Sequence, residues 1–179
     1  MTEKRGNTGG TGTAVTETTA SPEDTETFGA RLGRLLRPGD VVALEGELGS
    51  GKTTLVRGIA RGLGLNPDAV RSPTFVLLRE YPGEVPVVHV DGYRLEHAPD
   101  AAWLDLDLVF APEKITLIEW AQRFEGLLPG EHVNIKLEHV SANRRRLSVE
   151  LSGARAEALR EALRASGPVV SPEPEADPA

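Results

Sequence analysis

The sequence predicts an α/β fold built on a central sheet of mixed parallel and antiparallel strands flanked by helices, and three observations carry that prediction. A short apolar, β-branched run, VVALEG, leads straight into a glycine-rich loop and then into an apolar-periodic helix between residues 41 and 63. Two pairs of apolar segments are each joined by a short turn, the pattern of antiparallel hairpins. Between the hairpins, ITLIEW (115–120) reads as another buried strand. Strand and helix alternating early, with hairpins later, give a sheet of mixed direction.

Each element has a local reason. In SPEDTETFGARLGRLL, Ser21 is placed to cap a helix, Pro22 occupies its first position, and Glu23 and Asp24 sit near its positive end. Phe28, Leu32, Leu35 and Leu36 fall on one face, so a helix is expected from about 22 to 36, stopped by Arg37-Pro38-Gly39-Asp40. After the VVALEG strand and its loop, Leu55, Val56, Ile59, Ala60 and Leu63 recur at helical spacing until Gly62 and Gly64. TFVLLREY and VPVVHVD form the first hairpin around Pro82-Gly83-Glu84, and VNIKLEHV and RRLSVELS form the second around Ser141-Ala142-Asn143. LDLDLVF (104–110) is a weaker candidate strand, and a final helix over 154–165 presents Leu159 and Leu163 to the body.

A chain of 179 residues with 39% hydrophobic content has room for one domain with a real core. Residues 1–20, Gly/Thr-rich, and 167–179, acidic and Pro-rich, are expected to be disordered tails around a folded domain at 21–166. The chain has no cysteine, which excludes disulfides and thiolate metal sites, and no apolar run suggests a leader or a membrane span. A cytoplasmic protein with no membrane partner is expected. A net charge of -7 does not suit a broad grip on a phosphate backbone, so any nucleic-acid role is expected to be indirect.

The loop itself carries chemistry. Gly46-Glu47-Leu48-Gly49-Ser50-Gly51-Lys52-Thr53 fits G-x-x-x-x-G-K-[ST], and the strand before and helix after supply the context of a nucleotide-binding P-loop. Its glycines let backbone N–H groups turn around a phosphate at a helix N-terminus. Lys52 supplies a point charge to the β- and γ-phosphates, the Thr53 hydroxyl is a ligand for Mg²⁺, and Thr54 reaches the α-phosphate. Such a site needs a carboxylate near its metal, and two strands end in one: Asp91 after VVHV and Glu119 after ITLI. Lys52, Asp91 and Glu119 are therefore the catalytic candidates. Thr74, in the Ser-Pro-Thr turn, is either a sensor of the γ-phosphate or a strand cap. Trp120 is either a core residue or a nucleotide or partner contact. Arg144-Arg145-Arg146 is either a solvated strand end or a phosphate contact, and the four histidines show no metal-ligand spacing.

Four blocks, GELGSGKTTLVRGIARGLG, SPTF, HVDGYRL and LIEWAQR, follow one another in this order. In order and spacing they resemble the TsaE (YjeE-type) proteins, bacterial P-loop ATPases of tRNA threonylcarbamoyladenosine biosynthesis, over roughly residues 22 to 150. The resemblance implies ATP rather than GTP, and Mg²⁺ held by Thr53 and Glu119 with Asp91 close by. It also implies a nucleotide-dependent complex with the TsaB and TsaD proteins, which attaches threonylcarbamoyl to an adenosine beside the anticodon of certain tRNAs. The segments near Pro22 to Thr25 and near His139 correspond to the family's adenine side. Gly92, where the family commonly has a bulkier residue, and the segment WLDLDLVFAPEKI depart from the pattern.

Three rivals share the loop. A small-molecule kinase would use residues 142–146 as a lid. A GTPase switch would need a guanine-selective Asn-Lys-x-Asp, which the sequence lacks, and a glycine three residues after the aspartate, where Asp91-Gly92-Tyr93-Arg94 has none. A nucleotide-dependent scaffold with little turnover fits the lack of an obvious internal arginine finger.

Overall fold

The computed structural model describes residues 15–95, 104–167 and 169. The elements run β1 (Val15–Thr19), α1 (Pro22–Gly33), β2 (Val41–Glu45), α2 (Lys52–Gly62), β3 (Leu78–Tyr81), β4 (Val87–Asp91), α3 (Leu106–Val109), β5 (Ile115–Glu119), β6 (Val133–His139), β7 (Arg145–Leu151) and α4 (Ala156–Ala165). Seven strands form one sheet in the order β1-β7-β6-β2-β5-β4-β3. The central strands β6, β2, β5 and β4 are parallel, and the two flanks, β3 on one side and β7 and β1 on the other, are antiparallel.

Alternation along the strands builds two cores. Val42 and Leu44 of β2, with Ile115 and Leu117 of β5, join Phe28, Leu32, Leu55, Ile59, Leu159 and Leu163 beneath α1, α2 and α4. Val41, Ala43, Val88, Val90 and Ile118 point the other way, onto Val109 and Phe124. Strands buried on both faces explain why β2, β4 and β5 read as continuous apolar runs.

Helices α1 and α2 touch backbone to backbone. A Cβ on Gly58 would lie 2.3 Å from the Glu26 carbonyl oxygen, and one on Gly33 would lie 2.4 Å from that of Ile59. Glycine on both helices is what allows this approach, and it seats α2, whose first turn belongs to the loop, firmly on the body.

Four expectations are corrected. Val15–Thr19, read as part of a disordered tail over 1–20, is the edge strand β1, with Val15 opposite Val149 and Thr19 opposite Arg145. Val15 packs into the core and Thr19 is fully buried, so the folded unit starts before residue 21; residues 1–14 lie outside the described residues. At the other end Val169, read as tail, packs partly buried against the same core, while 168 and 170–179 lie outside the described residues. Finally, LDLDLVF holds the short helix α3 rather than a strand, because the Asp105 carboxylate accepts the Leu108 amide and caps it at 3.1 Å. The first helix also stops at Gly33, three residues short of the expected end, where the Leu35 amide bonds the Leu32 carbonyl and tightens the last turn.

Candidate active site

Because β2, β5 and β4 are parallel neighbours, their C-terminal ends open onto one cleft, where ligands sit in open α/β sheets. The loop after β2, Asp91 at the end of β4 and Glu119 at the end of β5 meet there, with Asp91 paired in register with Glu119. The cleft, of about 420 Å³, is lined by Leu48, Gly49, Gly51, Lys52, Thr53, Thr54, Ser72, Thr74, Asp91, Tyr93, Glu119 and Trp120. Of the residues expected from sequence, only Gly46 and Ser50 stand behind the wall instead.

Gly46 has no room for a side chain: a Cβ would sit 2.6 Å from the Leu137 carbonyl oxygen and 2.6 Å from Ser50 Oγ. Gly51, at φ 103°, caps α2 in the left-handed region with no side-chain cap, so the amides at the start of the helix are left for an anion. Lys52 is buried; its Nζ donates to the Gly46 and Glu47 carbonyls at 2.8 Å each. Burial pushes the ammonium below the ordinary lysine value of 10.5, and the Glu119 and Asp91 carboxylates oppose that shift.

Glu119 is 3% exposed and faces the start of α2. Its two oxygens share the Thr53 hydroxyl at 2.9 and 3.0 Å, and Oε1 also lies 3.0 Å from His89 Nε2. An ionised carboxylate only accepts, so Nε2 carries the proton, and the buried Nδ1 is left with no partner. Asp91 organises the opposite wall: Oδ2 accepts from Ser72 and Thr74 at 2.7 and 2.6 Å, and Oδ1 from the Tyr93 amide at 2.9 Å. Thr74 thus acts on Asp91, not as a cap of β3, which begins four residues later.

Trp120 belongs to the cleft rather than the core. Its backbone is left-handed, with φ 59°, and its ring lies 4.1 Å from Lys52 Nζ and 5.2 Å from the Tyr93 ring. Gly92 is explained by the same turn, since a Cβ there would lie 2.7 Å from the Phe124 ring. A second cavity, of about 230 Å³, adjoins the loop between Ser21, Pro22 and Thr25 on one side and Ala142 and Asn143 on the other. His139 does not line it.

Ser72 and Tyr93, which line the cleft, were not among the residues expected from sequence, and two further contributors escaped sequence reasoning. His89 was set aside for want of metal spacing, yet it backs Glu119; the period-2 pattern of VVHVD, which puts a polar residue on a buried face, was the available signal. Arg145 is neither a solvated strand end nor an extended lid: it reaches the loop from the side of the second cavity, with Nε 3.1 Å from the Ser50 carbonyl oxygen.

Chemically, the cleft joins an anion nest, a buried ammonium and a hydroxyl beside a carboxylate. Thr53, Glu119 and Asp91 offer only hard oxygen donors, which suit Mg²⁺. Among the described residues no group of three or more His, Cys, Asp or Glu side chains is placed to hold a metal ion by itself. No described helix is long and apolar enough to cross a membrane.

Comparison with known proteins bears on the family and the fold. The family model described as threonylcarbamoyl adenosine biosynthesis protein TsaE matches residues 19–147. A Bacillus subtilis protein described as tRNA threonylcarbamoyladenosine biosynthesis protein TsaE is 38% identical over 146 residues, covering 81% of this chain and 90% of its own. The Streptomyces coelicolor protein of the same description is 43% identical over 127 residues, covering 69% and 76%. The crystal structure of Bacillus subtilis YdiB superposes with a TM-score of 0.74 at 34% identity, covering 86% of this chain and 95% of that one. The fold is that of a P-loop NTPase, and the chain belongs to the TsaE family of threonylcarbamoyl adenosine biosynthesis proteins.

Proposed function

We propose that this protein is a Mg²⁺-dependent ATPase that acts with the TsaB and TsaD proteins, in the cytoplasm, to sustain threonylcarbamoylation of tRNA. The observation that carries the reading is the meeting of Thr53 and Glu119, with Lys52 and the uncapped start of α2 on one side and Asp91 on the other.

In this reading the glycine loop and the start of α2 bind the phosphates through backbone amides, and Lys52, seated on its loop carbonyls, supplies a positive charge to the β- and γ-phosphates. Leu48, Gly49, Ser50 and Thr54 complete the wall around them. Thr53 and Glu119 would hold the metal, with Asp91 nearby. When bound, Mg²⁺ neutralises charge developing on the phosphates. Asp91, fixed by Ser72 and Thr74, positions the attacking water and ties its orientation to the Ser72–Thr74 segment. Trp120 and Tyr93 keep bulk water from the Lys52 side. Turnover alone is expected to be slow, because among the described residues no arginine lines the phosphate cleft in the way a finger would.

The kinase reading has less support, since Arg145, its lid residue, is engaged with backbone carbonyls. The test is nucleotide-dependent thermal stabilisation together with phosphate release. ATP with Mg²⁺ at a hundredfold excess over Kd adds about 2.7 kcal/mol to the native state, and Lys52→Ala should remove most of it. Equal stabilisation of both proteins, or a phosphorylated acceptor in place of free phosphate, would overturn the proposal.

A further inference from the structure

The β6–β7 turn lies beside the glycine loop, the two lining the second cavity together, and one side chain joins them. Arg145, half-buried at the start of β7, sends Nε to the Ser50 carbonyl oxygen at 3.1 Å, and Nη2 lies 3.5 Å from that of Gly49. Its Nη1 donates to the carbonyls of Ser141, Ala142 and Arg144 at 3.1, 3.2 and 3.0 Å. One guanidinium therefore holds both the glycine loop and the turn.

Peptide planarity gives this contact a consequence. In a trans peptide the carbonyl and the following N–H point in opposite directions. Holding the Ser50 carbonyl turns the Gly51 N–H away from Arg145 and so away from the side of the second cavity, which Arg145 lines; Gly51 lines the phosphate cleft as well. Lys52 holds the Gly46 and Glu47 carbonyls in the same way at the other end of the loop. The two cations divide the loop's carbonyls between them, which leaves the amide side for an anion. Arg145 suits this task better than lysine would, because its planar fork meets several acceptors at fixed angles.

We infer that Arg145 is a positioning residue for phosphate binding: it sets the Ser50–Gly51 peptide in its anion-receiving orientation and makes that orientation depend on the Ser141–Arg144 turn. The inference rests on the proposed nucleotide site. Its neighbour Arg146 lies exposed on the opposite face of β7, where it cannot reach the loop, and serves as control.

The experiment is calorimetric titration of the full chain with ATP and, separately, inorganic tripolyphosphate, each with Mg²⁺, for wild type, Arg145→Gln, Arg145→Lys and Arg146→Gln. Loss of a charge-assisted bond that pre-orients the nest should raise Kd about tenfold for Arg145→Gln with both ligands. Arg145→Lys should fall between it and wild type, and Arg146→Gln should match wild type. A lower melting temperature with unchanged Kd in Arg145→Gln would make the residue merely structural and overturn the inference. If Arg145→Gln does not fold, Arg145→Lys decides: wild-type affinity for tripolyphosphate overturns the inference, and weakened affinity at native-like circular dichroism upholds it. Failure of wild type to bind either ligand would bring down the nucleotide site and this inference together, whereas tight wild-type binding with an indifferent Arg145 would remove only the latter.

Discussion

Replacing Glu119 by glutamine separates the charge of the central carboxylate from its shape. Glu119 is 3% exposed and accepts from the Thr53 hydroxyl and from His89 Nε2, all within 3.0 Å. A glutamine can keep the His89 bond through its oxygen and donate to the Thr53 oxygen through its amide. The fold should then lose about 1–2 kcal/mol, since the bonds from Thr53 and His89 both change from charge-assisted to neutral. Alanine is different. It leaves the fully buried His89 Nε2–H without an acceptor, beside an Nδ1 that already lacks a partner, at a cost of about 1–3 kcal/mol. Both variants should lose hydrolysis by about a hundredfold or more, equivalent to ~2.7 kcal/mol of transition-state stabilisation, if Glu119 holds the metal. Urea midpoints at unchanged slope give the stabilities, and phosphate release against Mg²⁺ concentration gives the activity. A glutamine variant with the wild-type Mg²⁺ titration would refute the metal assignment. An alanine variant no less stable than the glutamine one would refute the role of the His89 bond.

Other expectations follow from the same geometry. Gly58→Ala should lower the denaturation midpoint by about 1–3 kcal/mol, since its Cβ would press on the Glu26 backbone at 2.3 Å and neither helix can yield cheaply; a neutral substitution would mean that α1 and α2 are not in backbone contact. Asp91→Ala removes the acceptor of Ser72, Thr74 and the Tyr93 amide, so hydrogen exchange across residues 72–77 should quicken by roughly tenfold for each ~1.4 kcal/mol lost, alongside weaker hydrolysis. Burial holds Lys52 below 10.5 in the free protein, and a polyphosphate favours the charged form, so binding at alkaline pH should take up a proton, read as a buffer-dependent enthalpy. In the free protein the unfolded chain binds more protons over that window, so Lys52 favours the fold increasingly as pH rises through its folded value toward 10.5.

What was legible in the sequence was local. Strand, loop and helix around Gly46–Thr53 are consecutive, both hairpins carry their own turns, and Asp91 and Glu119 were placed by ending apolar strands. What escaped depends on partners far along the chain. VTETT has one core-facing valine and four polar residues, and only pairing with β7, some way past residue 140, makes it a strand. LDLDLVF alternates with period 2, yet the capping carboxylate of Asp105 decides for a helical turn. His89 and Glu119 meet across two adjacent strands, and Arg145 meets Ser50 across the sheet, so neither pairing leaves a spacing to read.

The most direct measurement of the central claim is a multi-turnover tRNA threonylcarbamoylation assay reconstituted with TsaB, TsaD and this protein, with ATP consumption followed in parallel. The account predicts weak hydrolysis by the protein alone, stimulation by the two partners, and loss of sustained modification when Lys52→Ala replaces wild type. Modification at an undiminished rate without this protein, or with Lys52→Ala in its place, would contradict it.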